Sequence, residues 1–251
     1  MTAPTPTAPV SQLAHSNHFD WQSCDAYLFD IDGTILRSRD RVHYNAMNRA
    51  MLDVYGKDTT IARVPYHGMT DLGIMRAALA LEGITSEEFD SKLPQALDCI
   101  RQDVERNLAS LNPQVCDNIP QTLKTLEDSG KLLGVASGNL ESVGWHKIRA
   151  TGLRDHFLFG AFADRHEQRA EVFAHGTEQV RSRLGSQASI CFFGDTPEDI
   201  RAAQKVGAHI VSVCTGVYKR EDLAPLQPDI CVQSCAELIN HIPADAPPLR
   251  P

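Results

Sequence analysis

Short apolar runs alternate with stretches of helical spacing along most of the chain. Ala26-Tyr27-Leu28-Phe29 is an apolar run that ends at Asp30, and its length and aromatic content predict a buried strand. The period then changes. Val42, Ala46, Met47, Ala50, Met51 and Val54 recur at helical spacing, and Gly56 closes the pattern. Leu72, Met75, Ala78 and Leu79 repeat it behind the cap candidates Thr70 and Asp71, with Gly83 as the stop. A third helical region runs from Ser86 to about Leu111, with a break expected near Pro94. Residues 38–117 are thus expected to be all-helical.

Strand and helix then alternate. Pro120 opens a helix that closes at Ser129-Gly130. Strands are predicted at Leu132–Ala136, Phe157–Phe162, Ile190–Phe193, His209–Val213 and Ile230–Val232. Helices are predicted at Glu141–Ala150, Glu167–Leu184 and Pro197–Val206. Such alternation predicts an α/β fold, a doubly wound parallel sheet covered on both faces. The helical block interrupts it after the first strand. The expected organisation is an α/β core of residues 19–37 and 118–242 and an inserted helical cap of 38–117. The tails, 1–18 and 243–251, are Pro- and Ala-rich and are expected to be disordered.

Composition narrows the partners. The 251 residues include 24 Lys+Arg and 32 Asp+Glu, a net charge of −8, which argues against nucleic acid as the main ligand. A small phosphorylated metabolite needs only a local cluster of donors and stays compatible. Apolar residues at 42% provide for a sizeable core. There is no apolar stretch of membrane-spanning length and no secretion signal, so a cytoplasmic protein without a membrane partner is expected, as a monomer or homodimer. The seven cysteines are odd in number and form no zinc-type CxxC pair, so reduced thiols are expected.

Three predicted strands end in polar residues of one character: Asp30-Ile31-Asp32-Gly33-Thr34, Ser137-Gly138-Asn139, and Gly194-Asp195-Thr196-Pro197-Glu198-Asp199. In a parallel sheet the carboxyl ends of the strands share one edge, where ligands bind. Asp30, Asp195 and Asp199 are hard oxygen donors whose mutual repulsion a divalent cation would relieve, and Mg2+ suits one or two carboxylates with phosphate oxygens. Ser137 offers a hydroxyl and Gly138 and Asn139 offer amides beside a helix start, an anion site. Gly33 permits a sharp turn and a close approach to ligand. A strand-end Asp can attack phosphorus to form an acyl phosphate, and a second Asp two residues on can protonate the leaving oxygen and then activate water.

Asp30-Ile31-Asp32-Gly33-Thr34 resembles the DxDGT signature of the haloacid dehalogenase superfamily. Ser137 matches its second motif, and Gly194-Asp195 with Asp199 its fourth, in the family's order. The helical insertion sits where a C1-type cap belongs, and the chain is most similar to the phosphoglycolate-phosphatase-like subfamily. The resemblance implies a Rossmann-like core and a Mg2+-dependent phosphatase acting through an aspartyl-phosphate. It implies Asp30 as nucleophile and metal ligand, and Asp32 as general acid/base whose carbonyl also faces Mg2+. It further implies Asp195 as metal ligand with Asp199 supporting it, Thr34 orienting Asp32, and Ser137, Gly138 and Asn139 holding phosphoryl oxygens. Two positions depart from the pattern. The third motif's usual Lys is missing, since no Lys lies between Lys147 and Lys205; Arg165 and Arg169 lie in that stretch, and Arg169, opening a helix, is the expected replacement. Gly68-Met69-Thr70-Asp71 carries Met69 where the subfamily commonly has a basic residue, so a cation for a carboxylate-bearing substrate is missing there.

A phosphomutase on a sugar phosphate would use the same core, and a non-catalytic phosphate-binding protein is a further alternative. A true dehalogenase is disfavoured, because that chemistry needs no metal and lacks the second Asp, whereas Asp32 and Asp195 are both here.

Overall fold

The computed structural model describes residues 19–240, leaving aside the side chains of 239 and 240, so both predicted tails lie outside the described residues. In chain order the elements are β1 (Ala26–Phe29), β2 (Leu36–Ser38), α1 (Val42–Tyr55), α2 (Asp71–Ala80), α3 (Ser86–Arg106), β3 (Pro113–Val115), α4 (Ile119–Asp128), β4 (Leu132–Ala136) and α5 (Glu141–Ala150). They continue with β5 (Phe159–Ala161), α6 (Arg169–Leu184), β6 (Ile190–Gly194), α7 (Pro197–Val206), β7 (His209–Val213), α8 (Arg220–Leu223), β8 (Ile230–Val232) and α9 (Cys235–Asn240). Six strands form a parallel sheet in the order β5-β4-β1-β6-β7-β8. After β1 the chain builds outward through β4 and β5, then returns to the other side of β1 for β6, β7 and β8. The carboxyl end of β1 is therefore the point where the winding reverses, the usual ligand position in such sheets.

Alternation within the buried strands explains the layers. Tyr27, Phe29 and Phe193 point into a cluster with Leu123, Leu126 and Ile148. Leu28 and Phe192 point the other way, against Val172, Phe173 and Val180. Period-two side chains thus serve two helical layers, which is why these strands read as continuous apolar runs.

The inserted cap has its own core on α1, α2 and α3, which extends onto Leu140 and Val143 of the main domain. Two expectations for the cap are corrected. The region contains a strand: β3 pairs antiparallel with β2, and this short ribbon joins cap to core. Three residues with half-exposed or exposed side chains carry no readable alternation, and their partner lies far away in sequence. The third helix is not broken at Pro94. It continues to Arg106, because Pro94 and Asp90, whose carbonyl loses its partner, both lie on the exposed face. Phe89, Ala96, Leu97 and Ile100 keep the opposite face buried. The fifth strand is also shorter than expected, Phe159–Ala161. All seven cysteines are free, five buried and two half-buried. Among the described residues no helix is long and apolar enough to cross a membrane.

Candidate active site

The sheet register sets the site. Phe29 pairs with Val135 on one side and Phe193 on the other, so the polar residues that follow the three strands emerge on one edge. Asp30 donates its amide to the Phe193 carbonyl at 2.9 Å and is 5% exposed. Arg169, the first residue of α6, is buried beside it, with Nη2 2.7 Å from Asp30 Oδ1 and 2.6 Å from Asp199 Oδ1. Its Nε also donates to Asp199 Oδ1 at 2.8 Å. The other Asp199 oxygen accepts from the Thr196 amide and hydroxyl, which closes the N-terminal cap of α7. Both oxygens of Asp199 are therefore engaged, and the side chain acts by holding Arg169 against Asp30. A forked guanidinium can bridge two carboxylates, which a single ammonium does less well. Arg165, the alternative cation, is exposed and away from Asp30, lining a separate pocket with His166 and His175.

Asp195 is buried at the end of β6. Thr34 donates to its Oδ1 at 3.1 Å, so Thr34 orients Asp195, not Asp32, and is itself fully buried. Gly33 adopts φ +91°, and a Cβ there would lie 2.3 Å from Asp195 Oδ2. The Gly33 amide donates to the Leu36 carbonyl, so this glycine leaves room for Asp195 and does not offer its N–H to a phosphate. Gly216, on the loop after β7, crowds the same oxygen, and a Cβ there would be 1.7 Å away. One oxygen each from Asp30, Asp195 and Asp199 lie within 4.8 Å of one another. Burial raises the Asp30 carboxyl to about 6; Arg169 opposes the rise, while Asp199 and Asp32 add to it. Burial, then Asp30 and Asp199, push Asp195 well above the ordinary carboxylate range. Buried acids that repel one another around glycine-cleared space fit a hard divalent cation.

Asp32 lies over the cleft with its side chain 41% exposed. Lys147 Nζ is 2.6 Å from its Oδ2, and Asn139 Nδ2 donates to the same oxygen at 2.8 Å. Lys147 also donates to Asn139 Oδ1 at 2.8 Å, and Asn139 donates to the Ser137 hydroxyl oxygen at 2.8 Å. The Ser137 hydroxyl proton stays available to an anion. Burial alone would raise the Asp32 carboxyl, but the Lys147 charge and hydrogen bond, with the Asn139 amide and His43, outweigh it and hold Asp32 below its ordinary value. The two acids of the Asp-x-Asp pair are thus driven apart, Asp30 up and Asp32 down, which gives them different proton affinities at one site.

The cap closes the cleft from the other side. Thr70 caps α2 and donates to the Glu167 carbonyl at 2.7 Å. The Asp71 amide donates to the Gly138 carbonyl at 2.7 Å, and Asp71 Oδ2 accepts from the Leu140 amide at 2.8 Å. Arg76 pairs with Glu167, and Arg101 with Asp164 at 2.8 Å. These contacts seat the cap on the Ser137-Gly138-Asn139 loop and border a cleft of about 550 Å³.

Residues 24–207 match the family model of the haloacid dehalogenase-like hydrolases. The chain belongs to that family. It is 21% identical over 222 residues to a candidate pyrophosphatase, PpaX, of Clostridium perfringens, covering 86% of this chain and 96% of the other. It is 23% identical over 219 residues to phosphoglycolate phosphatase of Vibrio vulnificus, covering 85% and 94%. The crystal structure of CbbY from Rhodobacter sphaeroides with phosphate superposes with a TM-score of 0.65 at 16% identity, over 86% of this chain and 96% of that one.

In this haloacid dehalogenase-like hydrolase three features were not reached from the sequence. Lys147 is the first. A signal did exist: it shares the buried face of α5 with Val143, Gly144 and Ile148, a place where an unpaired Lys does not belong. The contact of Asp71 with the main domain is the second: its carboxylate accepts from the Leu140 amide, and His43 Nε2 lies 3.0 Å from it. The third is the Thr215-Gly216 loop. In the Lys147→Met protein Asp32 loses its cation and is held less firmly as a base. We expect kcat to fall about 10²-fold. Steady-state phosphate release by the variant against the parent checks this.

Proposed function

We propose that this hydrolase is a Mg2+-dependent phosphatase that cleaves a small phosphate monoester through an aspartyl-phosphate on Asp30. The observation that carries the reading is the meeting of Asp30, Arg169 and Asp195 at one sheet edge with Asp32 poised over the cleft. The relatives named for phosphoglycolate and pyrophosphate hydrolysis support phosphoryl chemistry. Held by Asp30, Asp195 and the Asp32 carbonyl, Mg2+ supplies positive charge to the nucleophile and the phosphoryl oxygens when bound.

The remaining steps belong to the chain's own groups. Asp30 Oδ attacks phosphorus while the bond to the leaving alcohol breaks, and a proton on Asp32 goes to the alcohol oxygen. Asp32, now ionised and steadied by Lys147 and Asn139, takes a proton from water as that water attacks the acyl phosphate. The P–O bond to Asp30 breaks, and inorganic phosphate leaves with Asp30 restored. Arg169 neutralises Asp30 and Asp199 throughout, and Ser137 donates its hydroxyl to a phosphoryl oxygen. The cap, seated through Asp71, excludes bulk water during the first step.

Phosphate release from a panel of monoesters, with Mg2+ and with a chelator, tests the reading. Release that stops with the chelator is expected. An isomerised sugar phosphate without free phosphate would replace the hydrolase reading with the mutase one. Stability gives a second check. Asp30 at about 6 lies above its ordinary 3.8, so the metal-free fold binds that proton more tightly than the unfolded chain does. Its stability therefore falls as pH rises from about 4 through about 6. An ion that favours the ionised acids reverses this loss. The rise in Tm on adding Mg2+ should be roughly 5 °C larger at pH 8 than at pH 5 in circular dichroism melts. An equal rise at both values would count against the ion lying beside Asp30.

A further inference from the structure

The cleft is polar on the core side and apolar on the cap side. Opposite Asp30, Asp32 and Ser137 it is roofed by Met47, Met69 and Ile74. Two further pairs continue the roof: the Arg41 guanidinium lies 4.0 Å over the Tyr44 ring, and Tyr66 packs against His67 at a tilt of 40° with centroids 4.3 Å apart. Arg41 and His67 are exposed and, with Tyr44 and Tyr66, line the cleft, so planar groups border the space under the cap. The cleft volume of about 550 Å³ falls within the roughly 300–1,000 Å³ of sites for drug-sized ligands. A two-carbon leaving group would leave most of that space as water against apolar walls.

The cations nearest the buried acids are already paired. Arg169 is engaged by Asp30 and Asp199, and Lys147 by Asp32 and Asn139. Arg37 donates its Nε to the Thr215 carbonyl, and His43 stands against Asp71. A carboxylate beneath the thioether and aliphatic side chains would lose its hydration, and among the described residues the lining cations without a carboxylate partner, Arg37 and Arg41, sit at exposed positions of the cleft.

We infer that the substrate is a phosphate monoester whose alcohol carries a flat aryl or heteroaryl ring, and that Arg41 and Tyr66 select for it. This rests on the phosphatase reading for the placement of the phosphoryl group, with the ring lying under the cap against Arg41 and the Tyr66–His67 pair.

Calorimetry on the Asp30→Asn protein with Mg2+ tests the class without needing turnover, using 1-naphthyl phosphate, cyclohexyl phosphate, phosphoglycolate and inorganic phosphate as probes. Naphthyl phosphate should bind at least about 10-fold more tightly than phosphoglycolate and several-fold more tightly than cyclohexyl phosphate. Adding Arg41→Ala or Tyr66→Ala should weaken naphthyl phosphate by about 5- to 10-fold, while inorganic phosphate changes less than about 2-fold. Phosphoglycolate or the saturated ring binding as well as naphthyl phosphate overturns the inference. So do variants that weaken all four probes alike. Phosphate release by the unsubstituted protein is read separately. Tight naphthyl binding with no release from any ester would overturn the hydrolase reading and leave the ring preference standing. Release that favours phosphoglycolate would do the reverse.

Discussion

Asp30→Asn should eliminate phosphate release, with kcat reduced by about 10⁵-fold, the scale seen when a covalent nucleophile is removed. The amide has the same shape, so the sheet edge is not disturbed, but it offers no ionised oxygen to phosphorus. The metal-free variant should also be no less stable than the parent at pH 8. Asp30 at about 6 is a carboxyl that burial disfavours in its charged form, and removing that charge relieves Asp195 and leaves Arg169 its bond to Asp199. Phosphate release and thermal melts on the same samples check both statements. Turnover above about 1% of the parent would remove Asp30 from the nucleophile's place.

Arg169→Met should have the largest effect on the fold. Arg169 lies against two carboxylates, and all three groups are at most 7% exposed. Removing the cation leaves Asp30 and Asp199 buried without a counter-charge, a loss of about 3–5 kcal/mol. In a chain of this length that lowers Tm by roughly 10 °C. Activity should fall about 10³-fold, because the charge that steadies the nucleophile is gone. Adding Asp199→Asn to Arg169→Met should recover much of the stability, since one of the stranded charges is removed, without recovering activity. Arg169→Lys should regain part of both, because one ammonium serves two carboxylates less well than a forked guanidinium. A double substitution that restores turnover would show that Arg169 is only a structural partner of Asp199.

The Lys147 arrangement bears on how one side chain serves both as acid and as base. In the proposed reaction Asp32 must carry a proton when the alcohol leaves and lack one when water attacks. Lys147 and Asn139 favour the ionised form, the form the second step needs. The proton for the first step must then arrive with the substrate or be drawn onto Asp32 by the phosphate's own charge.

The local pattern of side chains by itself determined the α/β core, the insertion after the first strand, and the placing of Asp30, Ser137 and Asp195 at strand ends. Buried strands announce themselves as apolar runs, and parallel winding sends the residues after each run to one edge. Only the tertiary structure decided which side chain each of these would meet. Thr34 turned to Asp195 and not to Asp32. Asp199 took Arg169 and the cap of its own helix. Lys147 reached Asp32 from the buried face of α5, and Asp71 of the cap tied down the Ser137 loop. Those partners come from distant parts of the chain, and hydrophobic period carries no information about which charges converge. Pairing is set by distances of a few ångströms and by the removal of water, which exist only once the layers have packed.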